Sequence, residues 1–122
     1  MAGAGAFVLT ATLQACTGQD AGSPPVSGTT LGSSSDVPVG GGTVFADAGV
    51  VVTQPTRGEF HAFSAICTHQ RCSVTEVQER AIVCSCHGSQ FDLTDGSVVL
   101  GPAQEPLPRA DVIIEGTSMT LG

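Results

Sequence analysis

The chain has no Lys, no Trp and no Tyr, and its four basic residues face eleven acidic ones, for a formal charge of −7 over 122 residues. Without a cationic stripe it has no grip on a phosphate backbone. With five Phe as its only aromatic rings, it also lacks the stacking platforms of single-strand binders. Nucleic acid is therefore excluded as a partner. Long apolar runs are missing too, and no segment approaches the roughly 20 residues of a membrane-spanning helix. No window of helical length carries a sustained i, i+3, i+4 apolar stripe. What the chain does have is sixteen Gly, seven Pro and five Cys, and the Cys need explaining.

Three zones separate by composition. Residues 1–15 are small, apolar and uncharged. Of the 21 positions in 17–37, 14 are Gly, Ser, Thr or Pro, a composition that reads as a mobile linker. Residues 38–122 hold every Arg and His and four of the five Cys, and read as the folded domain. Its pattern is short and punctuated, with candidate strands at Thr43–Ala46, Val50–Thr53, Glu59–Ala65, Ser73–Val77, Ala81–Cys84, Val98–Leu100, Asp111–Glu115 and Ser118–Leu121. Turn signals at Gly40-Gly41-Gly42, Pro55 to Gly58, Thr94-Asp95-Gly96 and Gly116-Thr117 separate them. The expectation is an all-β fold, a small antiparallel sandwich or barrel. A domain of this size buries a modest core and benefits from a covalent or metal staple.

Two clusters could supply it: Cys67-Thr68-His69-Gln70-Arg71-Cys72 and Cys84-Ser85-Cys86-His87-Gly88-Ser89. Each follows a candidate strand, so both are expected on loops that can close on one object. Paired Cys and His fingers suit a soft, tetrahedral metal site. A zinc site would normally draw on C-x-x-C or H-x-x-x-H spacing. Here the first finger is C-x-H and the second C-x-x-H, with one Cys left over in each.

This layout resembles the Rieske iron–sulfur proteins, in their disulfide-containing branch. The resemblance extends to Gly58–Ser64, similar to the strand entering the first loop, and to Gly101–Leu107, similar to the Pro-containing loop over the cluster. It implies that Cys67 and Cys84 bind one iron of a 2Fe–2S cluster and His69 and His87 the other. Cys72 and Cys86 would join the two loops as a disulfide. Two ferric ions, two sulfides and two thiolates sum to zero charge, so His ligation raises the potential into a range of about −150 to +300 mV.

Neighbouring groups would tune that value. Ser89, two residues beyond His87, stands where high-potential members of the family donate a hydroxyl hydrogen bond to cluster sulfur. Where those members carry a Tyr hydroxyl, this chain has Phe91, which has no donor. The implied potential lies below that of members with both donors. Proton coupling is implied as well, since added negative charge beside imidazoles favours their protonated forms. The potential would then fall by about 59 mV per pH unit for one proton per electron. Exposed His edges would meet a quinol or a redox partner protein. His61, outside both fingers, reads as a surface or half-buried residue, and Asp92 and Asp95 as turn formers around Gly96. Arg71, at the first finger's tip, is a weak candidate for docking.

A structural disulfide implies an oxidising, extracytoplasmic compartment. Leu13-Gln14-Ala15-Cys16 resembles a bacterial lipobox, so residues 1–16 read as an export signal ending in Cys16 as the lipid anchor to a membrane. A signal needs a positively charged start, and the first basic residue here is Arg57. A start upstream, carrying Arg, is expected. The reading is an exported, membrane-tethered one-electron carrier, not an enzyme on its own. Its alternatives are a subunit of a larger oxidoreductase, of the quinol–cytochrome bc or arsenite oxidase type, a cytosolic ferredoxin serving a ring dioxygenase, and a zinc-stabilised module without redox activity.

Overall fold

The computed structural model describes residues 25–68, 72–78 and 80–122. Among them are eleven strands in three antiparallel sheets and no α-helix. The first sheet runs β1 (Thr30–Ser33), β11 (Ser118–Leu121), β10 (Val112–Glu115). The second runs β2 (Gly41–Phe45), β3 (Val50–Thr56), β4 (Glu59–Ser64), β9 (Arg109–Ala110). The third runs β5 (Glu76–Gln78), β6 (Ala81–Val83), β7 (Gln90–Asp92), β8 (Val98–Leu100).

The second sheet lies between two cores, and β3 explains how. Val50, Val51 and Val52 are all fully buried, although neighbouring side chains of a strand point to opposite faces. Val51 packs with Phe63, Ile82 and Phe91 in one core. Val50 and Val52 pack with Ala62, Met119 and Leu121 in the other. A strand covered on both faces reads as a continuous apolar run, which is what the sequence has here. Burying each Phe of the first core stabilises by about 1.5–3 kcal/mol. Thr53 shares the face of Val51, and its hydroxyl donates to Leu93 O at 2.7 Å, tying the second sheet to the third. Gln54 donates to Val37 O at 2.6 Å and accepts from the Gly58 amide at 2.9 Å, so this buried amide is satisfied on both sides.

Every candidate strand corresponds to an observed one within a few residues, and the all-β antiparallel expectation holds. The fourth, Ser73–Val77, moves to Glu76–Gln78, leaving Ser73 in a lone bridge with Ile66. Three strands were absent from the reading: β1, β7 and β9. β1 corrects the linker boundary, because Thr30–Ser33 pairs with β11 and both Leu31 and Val37 are buried. Backbone pairing and two apolar anchors hold this stretch despite its Gly and Ser content, so the folded part begins before residue 38.

The turn between β7 and β8 uses its acids as expected. Asp92 Oδ1 accepts from the Thr94 amide at 2.7 Å and Asp95 Oδ1 from the Ser97 amide at 2.9 Å. The Ser97 amide, first among several causes, holds the Asp95 carboxyl below its usual range. The His61 side chain does the same to Glu59 across a 2.7 Å contact. A depressed folded-state pKa contributes stability that is complete above the unfolded value of about 4 and lost as pH falls through the folded one. Thermal midpoints should therefore hold near neutrality and decline below about pH 4. Asp95→Asn should flatten that acid slope, and an unchanged slope would remove Asp95 from the account.

Candidate metal centre

The two Cys-containing segments follow β4 of the second sheet and β6 of the third. Residues 67–72 lie between β4 and β5, and residues 84–89 between β6 and β7. Each finger closes on itself the same way: the Cys67 amide donates to Cys72 O at 2.6 Å, and the Cys84 amide to Ser89 O at 2.9 Å. The Gly88 amide adds a bond to Cys84 O at 2.8 Å, with Gly88 itself at φ +83°, a conformation Gly adopts without a Cβ clash. Cys72 and Cys86 form a disulfide across the fingers, with Cα atoms 6.3 Å apart.

Cys67 and Cys84 lie outside that bond as buried thiols, 2% and 1% exposed. They share the first core with Phe91, and the Cys67 thiol is near enough to Cys84 to act on it electrostatically. Burial, above all, pushes the Cys84 thiol above the usual cysteine range; the Cys86 amide pulls it down and the Cys67 thiol pushes it up again. A thiolate here therefore calls for a positive charge beside it, as a metal supplies. His87 is exposed at the tip of the second finger. His69 and Arg71 lie outside the described residues, as does Cys16. Among the described residues no three His, Cys, Asp or Glu side chains gather as a metal-holding group, so the thiol pair is what they bring together.

The segment 101–107, which begins with a cis Gly101–Pro102 bond, is fastened to both fingers. Thr68, between the two candidate ligands of the first finger, donates its hydroxyl to Glu105 O at 2.6 Å. Ser89, fully buried in the second, accepts the Ala103 amide at 3.0 Å, which leaves its own proton for another acceptor. The Leu107 amide reaches Gly96 O at 2.9 Å. Thr68 and Gly96 were missed as site-forming residues. The position of Thr68 inside the C-x-H motif was the available signal for the first; nothing in sequence spacing pointed to the second. His61 is half-buried on β4, as its place in the sequence suggested, and its Nε2 lies 2.7 Å from Glu59 Oε2.

The Rieske [2Fe-2S] domain matches residues 28–111, more than two thirds of the chain. The chain belongs to that family. The cytochrome b6-f complex iron-sulfur subunit of Chlorobaculum thiosulfatiphilum is 36% identical over 96 residues, covering 75% of this chain and 51% of the relative. The cytochrome bc1 complex Rieske iron-sulfur subunit of Corynebacterium diphtheriae is 44% identical over 61 residues, 48% of this chain and 15% of the relative. The chain thus spans at most about half the length of these curated relatives. Among solved structures, the cyanobacterial plasma membrane Rieske protein PetC3 from Synechocystis superposes with a TM-score of 0.60 at 25% identity, covering 77% of this chain and 98% of that one.

This Rieske domain carries a 2Fe–2S cluster as its cofactor. The donor set fits. Two buried thiols converge from two fingers, and the only other Cys in those fingers are sealed in the disulfide. Family membership also replaces the zinc-stabilised alternative.

Proposed function

We propose that Cys67 and Cys84 bind one iron, that His69 and His87 bind the other, and that the domain passes single electrons on the extracytoplasmic side of a membrane. The observation that carries the ligand assignment is the pair of thiols buried in one core, beside a disulfide that removes Cys72 and Cys86 from the donor set. When bound, the cluster supplies one-electron oxidation and reduction at a potential set by its ligands and their hydrogen bonds. The chain's own residues do the rest. Ser89 is held by the Ala103 amide so that its hydroxyl proton is available to a sulfur acceptor, which favours the more negative, reduced state. Exposed His87 is placed to exchange a proton with water or with a partner.

Low-temperature electron paramagnetic resonance of dithionite-reduced protein tests the assignment, with iron and zinc measured on the same sample. A rhombic Rieske-type signal with two irons per chain supports it; an axial signal of the all-thiolate kind would sink it.

Export and tethering rest on the disulfide, which suits an oxidising compartment, and on the lipobox-like Leu13 to Cys16. Fatty-acid labelling that survives Cys16→Ser would end the lipid-anchor reading. The relatives' names favour a second reading, a Rieske subunit of a larger complex. A large subunit purifying with the chain decides for it.

Phe91 gives a quantitative handle. It is fully buried in the same core as the two thiols and offers no donor. In Phe91→Tyr a hydroxyl enters that core, and if it reaches a ligand sulfur it favours the reduced state. A differential of 1.4 kcal/mol is about 59 mV for one electron. The expected result in film voltammetry is a rise of several tens of mV, on the order of that conversion. An unchanged potential with about 1–3 kcal/mol lost stability would mean that the hydroxyl is stranded.

A further inference from the structure

We infer that the electron partner of this domain is a protein presenting an apolar patch rimmed by Lys or Arg. It docks on a face made by β8 and the segment that follows, with Val99, Leu100 and Pro102 as the apolar centre and Glu105 as the charged contact. The inference rests on the electron-transfer reading above and adds to it the chemistry of the partner.

Val99 and Leu100 are 57% and 54% exposed on the outer strand of the third sheet. Of the large hydrophobic side chains standing exposed among the described residues, only these two are neighbours in the chain. A scattered exposed Val needs no explanation, but a contiguous run beside a working site marks a contact surface. Leu100 lies opposite Gln90, the residue that follows the second finger. Exposed Pro102 carries the run on to a cleft of about 510 Å³, which it lines with Thr68, Gln104 and Glu105. Thr68 belongs to the first finger, so a protein seated on this face lies against both.

Charge decides the kind of partner. Residues 84–107 carry Asp92, Asp95 and Glu105 and no Arg. Asp92 and Asp95 are turned into their own hairpin by the Thr94 and Ser97 amides. Glu105 is exposed, and the bond from Thr68 engages its backbone carbonyl, leaving the carboxylate out. The next base along the chain, Arg109, has its guanidinium 5.6 Å from the centre of the Phe63 ring. The one Arg of the fingers, Arg71, lies outside the described residues. With −7 over the whole chain, the field met by an approaching molecule draws cations in and turns anions away. One electron leaves the domain and one enters the partner. The domain that still holds its electron is one charge more negative than the spent one, so it holds a cationic acceptor more tightly before transfer than after. Release is favoured once the electron has passed, as a transient contact of small area requires.

The test uses the full, cluster-loaded chain and, as probe, an oxidised basic c-type cytochrome with lysines around its haem edge. An acidic c-type cytochrome of similar potential and hexacyanoferrate(III) serve as controls. The chain has no Lys, so a carbodiimide joins its carboxylates to amines of the probe or to its own amino terminus and nowhere else. Mass spectrometry should place the main cross-link to the probe at Glu105. In stopped-flow transfer at low salt, Glu105→Gln should slow reduction of the basic cytochrome about two- to fivefold, the scale of one exposed charge pair. That difference should vanish at about 1 M salt, where charges are screened within about 3 Å. Leu100→Ser should slow transfer at both salt concentrations, because apolar contact is not screened. Glu115→Gln removes the same charge from exposed β10 on the first sheet and should leave the rate within about 1.5-fold of native. Cross-links spread evenly over the acids, equal slowing by Glu105→Gln and Glu115→Gln, or an unslowed Leu100→Ser would overturn the inference and leave electron transfer standing. So would faster reduction of the acidic cytochrome than of the basic one. Failure to reduce even hexacyanoferrate(III), a small acceptor that needs no docking face, would overturn the electron-transfer reading and the inference with it.

Discussion

Gly96→Ala should lower the unfolding free energy by about 2–5 kcal/mol, the sum of a backbone cost and a packing cost. Gly96 sits at φ +74°, where a residue with a Cβ pays roughly 1–2 kcal/mol. The added Cβ would also stand 2.9 Å from Cδ1 and Cε1 of Phe63 and 3.1 Å from Leu107 O. Phe63 is fully buried in the first core, with the Arg109 guanidinium 5.6 Å from its ring centre, so the ring has little room to move. Displacing packed atoms of this kind costs about 1–3 kcal/mol more. Gly58→Ala separates the two costs: it has φ +86° but nothing within 4 Å of its Cβ, so it should lose only the backbone part. Equal losses in urea denaturation would remove the packing argument. Because Gly96 O accepts the Leu107 amide, the loop fastened to the fingers should loosen with it, seen as faster amide exchange across residues 101–107.

The contrast between Val50–Val52 and Thr30–Ser33 shows how far local pattern carries. The Val run announces a strand because its composition leaves few alternatives, and its continuity fits burial on both faces. Thr30–Ser33 contains Gly and Ser and becomes β1 only because β11 offers a backbone edge from the far end of the chain. β9 is two residues long and is defined by Ala62 and Phe63 opposite it. Such strands are set by tertiary pairing, and no window of sequence around them holds that partner.

The site divides in the same way. Cys67, Cys72, Cys84 and Cys86 could be read from spacing because the chemistry demands those residue types at those intervals, and the family resemblance supplied the pairing that the structure contains. The fastening of residues 101–107 could not be read. Thr68 finds a carbonyl 37 residues away and Ser89 an amide 14 residues away, and a backbone group leaves no mark in the amino-acid code. Gly96 belongs to the same class, since its requirement comes from a ring on another sheet.

Removing the disulfide in Cys72→Ser/Cys86→Ser should cost about 3 kcal/mol, the chain-entropy value for a loop of roughly 15 residues. The loop here has a sequence separation of 14. Each finger keeps its own closure, the Cys67 amide on Cys72 O and the Cys84 amide on Ser89 O, so local shape survives the substitution. What is lost is the covalent distance between the fingers, which is what keeps Cys67 and Cys84 facing each other. The expected result is a domain that still folds, with its denaturation midpoint lowered and its iron released at a lower temperature than in the native chain. All four candidate ligands remain, so the paramagnetic line shape of intact molecules should be unchanged while their number declines faster on heating. If iron release and unfolding both match the native chain, the hydrogen bonds of the fingers and of residues 101–107 suffice to hold the site, and the disulfide contributes little to it. If iron is lost early without a change in unfolding midpoint, its role lies in the spacing of the fingers more than in the stability of the domain.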